Sequence, residues 1–84
     1  MVTWEMPDGT EFRYLGVAVS DAALREFVLR FMSAEGMSWD VSQWDDTAIE
    51  GAFLRRFGEK IRVTRERARS GTAVLVFQPV LAGA

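Results

Sequence analysis

A chain of 84 residues with no cysteine has to close its fold by apolar packing alone. No disulfide and no thiolate-held metal can staple it, and the absence of histidine removes the other common zinc ligand. At this length a fold buries about 60–65% of the surface that the unfolded chain exposes. The apolar residues, 49% of the chain and including three Trp, one Tyr and six Phe, must therefore meet in a shared core. Such a content excludes a disordered chain, and the length points to one domain over residues 1–84. No apolar run approaches the roughly 20 residues that cross a bilayer, and the N-terminus lacks a basic and apolar leader. A cytoplasmic protein with no membrane contact is expected.

The spacing of apolar residues predicts the elements. Val2, Trp4 and Met6 alternate with Thr3 and Glu5, and Pro7-Asp8-Gly9 supplies a turn. Thr10–Val19 reads as a second strand, with Phe12 and Tyr14 alternating against Glu11 and Arg13. The apolar parity flips near Gly16, which fits a bulge or a strand covered on both faces. Ser20 is a suitable N-cap and Asp21 favours the positive end of a helix dipole. Leu24, Phe27, Val28, Phe31 and Met32 then fall at i, i+3, i+4, i+7 and i+8, predicting a helix over 21–35 stopped by Gly36.

Met37, Trp39 and Val41 alternate with Ser38, Asp40 and Ser42, as in a short half-buried strand. A second helix has two overlapping start signals. Thr47-x-x-Glu50 fits a capping box; alternatively Asp45 caps, with Trp44 and Ile49 at the staple positions. Ile49, Ala52, Phe53 and Phe57 form its apolar stripe, and Gly58 can end it. Ile61 and Val63 alternate with Arg62 and Thr64, Ser70-Gly71 suits a turn, and Thr72–Phe77 is β-prone. A terminal hairpin of 60–68 and 72–79 is predicted, ended by Pro79; the rival is a continuous helix from 47 to 69. The order ββαβαββ predicts an α+β domain with a mainly antiparallel sheet and two helices packed on one face.

Charge is spread unevenly. Residues 1–54 hold three basic groups and ten acids, a local net of 3 − 10 = −7. Residues 55–69 hold seven basic groups against Glu59 and Glu66, giving 7 − 2 = +5, and the sum recovers the net −2. Arg55, Arg56, Arg62, Arg65, Arg67 and Arg69 are therefore the candidate partner-binding residues, because guanidinium forks suit carboxylates and phosphates alike. Trp44 is a lesser candidate: exposed, it would be an interface anchor, whereas packed on Ile49 it would staple the second helix.

Catalysis is poorly supported, since the usual proton shuttle and thiolate nucleophile are missing. Asp40, Asp45, Asp46 and Glu50 lie close in sequence and could hold a hard cation, but three of them also stand where a helix start favours negative charge. The seven glycines form no phosphate-binding loop. No cofactor and no metal are expected. The reading is a non-catalytic adaptor, inhibitor or regulatory subunit that docks on a protein partner with an acidic surface. A nucleic-acid-contacting accessory domain using the same arginines on phosphates is the alternative, and a homodimer that sets the basic stretch of one copy on the acidic body of another is also open.

Overall fold

Alternating apolar residues near the N-terminus form the first hairpin. In the structure, a computed structural model that describes residues 2–6, 9–35 and 44–80, β1 (Val2–Glu5) pairs antiparallel with β2 (Glu11–Tyr14). Gly9 adopts φ 95° in the turn, a conformation that glycine takes without the Cβ penalty. The hydroxyl of Ser20 accepts from the Ala23 N–H at 3.2 Å and starts α1 (Asp21–Glu35). Asp45 caps α2 (Asp46–Phe57), accepting from the Thr47 N–H at 2.9 Å, and Gly58 ends it at φ 71°. The second hairpin follows as β3 (Ile61–Arg67) and β4 (Ala73–Pro79), so the predicted hairpin forms and the continuous helix from 47 to 69 does not.

Three expectations are corrected: the direction of the strands, the length of the second strand and the part played by Gly16. The sheet is mixed, in the order β1-β2-β4-β3, because β2 and β4 are neighbours and run parallel. The two helices carry the chain out and back, so β3 leaves from the end where β2 finishes and β4 returns in the direction of β2. Among the described residues the order is ββααββ; the strand expected at Met37–Val41 and the Gly36 stop lie outside them. The second strand is also shorter than its alternation suggests, ending at Tyr14 rather than Val19. After Leu15, whose N–H still bonds the Phe77 carbonyl at 3.0 Å, the chain bends over the Tyr14 ring. A Cβ at Gly16 would overlap the Tyr14 hydroxyl and the Pro79 ring, so glycine is there for close approach and not for a bulge.

One face of the sheet and both helices enclose the core. Phe12, Tyr14, Ile61, Val63, Leu75 and Phe77 meet Leu24, Phe27, Val28 and Phe31 of α1 and Ile49 and Phe53 of α2. Phe53 is central, with ring centroids 5.2 Å from Phe27, 5.8 Å from Tyr14 and 5.9 Å from Phe77. On the opposite face Val74 and Val76 are also buried, although neither helix covers them. They are flanked in register by Glu11 and Arg13 of β2 and by Glu66 and Thr64 of β3. Arg13 bonds Glu11 and reaches within 3.9 Å of Glu66, so long polar side chains roof the two valines. Among the described residues the molecule is thus a small α+β domain with four strands in one sheet and two helices.

Candidate functional site

The register of the second hairpin decides where the arginines go. Successive side chains of β3 alternate between faces. Arg65 and Arg67 therefore share the helix side with Ile61 and Val63, and Arg62 stands on the outer face opposite Gln78. Lengthwise the separation is larger: from Ile61 to Arg67 the strand spans about 20 Å at roughly 3.3 Å per residue. The basic stretch is therefore divided between two ends of the sheet.

At the end beside the start of α2, the arginines have partners inside the fold. Arg65 donates to the Asp46 carboxylate from Nε at 3.0 Å and from Nη2 at 2.7 Å, and to the Trp44 carbonyl at 2.6 Å. Its guanidinium thereby ties the end of β3 to the first turn of α2. Arg67 donates to the Gly71 carbonyl at 3.0 Å across its own turn, and Arg69 is exposed in that turn. Trp44 is 5% exposed, with its ring 5.6 Å from Phe31 and 5.9 Å from Phe12. Of its two sequence readings, the packed one describes its position: it precedes the cap Asp45 and lies in the same core as Ile49. A ring so placed offers no surface for an anchor.

The other end is built differently. Leu15, Gly16 and Val17 follow β2, Pro79 and Val80 close β4, and Glu59 links α2 to β3. Leu15, Gly16, Val17, Glu59, Gln78 and Pro79 line an open groove of about 420 Å³. A smaller recess of about 160 Å³, lined by Arg62, Gln78, Pro79 and Val80, adjoins it through Gln78 and Pro79. Val17 is 97% exposed, Leu15 44% and Val80 36%, so an apolar strip faces solvent here. Arg55 and Arg56 stand exposed in the last turn of α2, where Arg56 lies 5.2 Å over the Phe57 ring, and Lys60 is exposed just before β3. Among the described residues Arg55, Lys60 and Arg62 have no ion-pair partner.

The floor of the groove is anchored. The Tyr14 hydroxyl donates to Glu59 and accepts from the Ala18 N–H at 3.3 Å, tying the 15–19 bend to the link after α2. Burial first, and the Glu59 hydrogen bond second, push this hydroxyl up to about 12. The group is thus a fixed donor and not a nucleophile at neutral pH.

The carboxylates near the start of α2 have duties within the fold. Asp45 caps α2, Asp46 holds Arg65, and Glu50 accepts from the Val63 N–H at 2.8 Å; Asp40 lies outside the described residues. Among the described residues no three acidic side chains gather as a metal would need, and no helix is long and apolar enough to cross a membrane. What the sequence reading missed is the apolar strip. Its signal was present in Leu15 and Val17, which lie within the predicted second strand over Thr10–Val19. Comparison with family models, with curated proteins and with solved structures finds no match to this chain.

Proposed function

We propose that this chain is a non-catalytic binding protein, an adaptor, inhibitor or regulatory subunit, that docks on a protein partner with an acidic surface in the cytoplasm. The observation that carries the reading is the exposed strip of Leu15, Val17 and Val80 at the end of the sheet that also presents Arg55, Arg56, Lys60 and Arg62. Apolar and guanidinium groups at one end of the sheet combine the two contributions that interfaces use: desolvation gives affinity, and charge gives steering and orientation. The contact set is therefore Arg55, Arg56 and Arg62. Arg65, Arg67 and Trp44 serve the fold, and Arg69 stands at the far end.

The alternative, contact with nucleic acid phosphates, draws on the same cations. Single strands are held by exposed rings as well as by charge, and among the described residues every exposed large apolar side chain is aliphatic. The test is recovery of bound proteins from source-cell extract on immobilised wild-type chain and on the triple variant Arg55→Glu, Arg56→Glu, Arg62→Glu. A partner held by the first and lost from the second is expected. Equal recovery on both surfaces would overturn the reading. Binding of a mixed-sequence oligonucleotide that weakens steeply with salt would favour the alternative.

A further inference from the structure

Among the described residues strand β3 forms one edge of the sheet, and two bonds show which way its backbone groups point. The Val80 N–H donates to the Lys60 carbonyl and the Ala68 N–H to the Thr72 carbonyl, each at 2.9 Å. Even-numbered residues of β3 therefore turn their backbone groups toward β4, and odd-numbered residues turn theirs outward. Val63 does so: its N–H leaves the sheet and meets the Glu50 carboxylate at 2.8 Å. An outward edge of this kind is a template for another strand.

The outer face of that edge reads Arg62, Thr64, Glu66, with Arg62 and Glu66 placed symmetrically about Thr64. Both are exposed. On one strand they are about 13 Å apart, four residues at roughly 3.3 Å each, which is too far for them to pair with one another. In an antiparallel pairing of two identical strands about Thr64, each Arg62 stands opposite the second copy's Glu66. Moving the axis to Arg65 would set two guanidinium groups face to face, and moving it to Val63 would leave Arg62 opposite Thr64.

We propose that the β3 edge pairs with the β3 edge of a second copy about a two-fold axis at Thr64, and that Glu50 guards it. Ile61, Val63, Arg65 and Arg67 of each copy exchange backbone N–H and C=O groups. The Arg62 and Glu66 side chains form two equivalent cross-strand pairs. Glu50 must first release the Val63 N–H, so its carboxylate sets how readily the edge opens. Such an isologous contact closes on itself as a dimer and does not propagate.

The experiment is sedimentation velocity across a concentration series, with circular dichroism to confirm that each variant is folded. Glu50→Ala opens the edge and tightens the dimer. Arg62→Glu and Glu66→Arg each replace two attractive cross-strand pairs with two repulsive ones and weaken dimerisation by about tenfold or more. Combining both changes restores opposite charges across the axis and returns the dimer, a rescue that no contact within one copy can produce. Glu66→Arg leaves the basic end of the sheet intact, so its outcome is read apart from partner docking. A wild-type chain and a Glu50→Ala chain that both stay monomeric throughout would overturn the proposal. So would a folded double variant that fails to recover.

Discussion

The two ends of β3 carry the same residue type to opposite fates. Arg65 is clasped by Asp46 and by the Trp44 carbonyl, and it locks strand to helix. Arg62, three residues earlier, stands over a shallow recess with no ion-pair partner among the described residues. Both belong to the stretch of net +5 between residues 55 and 69. A charge count along a chain is therefore not a surface patch. Strand parity divides the cations between faces, and strand length divides them between ends.

The comparison can be broken most severely at the open end. Gly16→Ala places a methyl group against the Tyr14 hydroxyl and the Pro79 ring and should cost about 1–3 kcal/mol in urea unfolding. Tyr14→Phe removes the hydroxyl, costs about 1 kcal/mol through the lost Glu59 and Ala18 hydrogen bonds, and unties a ring whose Cζ, 2.5 Å from that methyl, must still shift to admit it. The two losses should then fall short of additivity in the double variant. Additive losses would mean that the bend is not held by the tyrosine. The same hydroxyl gives the open end a pH signature. Its folded value of about 12 lies above the ordinary 10.0, so the native state keeps a proton that the unfolded chain has released. Its contribution to stability is complete below pH 10 and is lost as pH rises toward 12. Tyr14 is the single tyrosine of the chain, so tyrosinate absorbance follows it directly, and the alkaline loss should shrink in Tyr14→Phe.

Much of the fold was legible because local signals decide local elements. Ser20 and Asp45 cap the two helices, Gly58 stops α2, and the alternation of Ile61 and Val63 makes β3. The way the hairpins join was not legible from those signals, because direction in a sheet depends on how many passes the intervening elements make. A stronger hint lay in Val74–Phe77: four consecutive apolar residues, all buried, are the mark of a strand covered on both faces at the sheet centre. Leu15 and Val17 misled the strand reading because alternation reports spacing and not pairing, and pairing stops where the chain must clear the Tyr14 ring. Of the candidate site, the identity of the cations was legible and their grouping was not. The partners of Arg65 lie 19 and 21 residues earlier in sequence, beyond any local pattern.

The finest test of the comparison separates charge from geometry. Arg65→Ala should cost about 1 kcal/mol, a figure held down because the Asp46 pair is partly exposed, whereas Arg62→Ala should stay within about 0.5 kcal/mol. Lysine at each position then sharpens the distinction, since it keeps the charge and loses the planar fork. Toward the described residues Arg65 directs Nε and Nη2 in three contacts, and a single ammonium cannot reach both the Asp46 carboxylate and the Trp44 carbonyl in that geometry. Arg65→Lys should therefore recover only part of the loss, while Arg62→Lys should be neutral to stability. If Arg65→Lys is as stable as wild type, charge alone holds the closed end. The two ends of β3 then differ only in the acids that happen to lie near them.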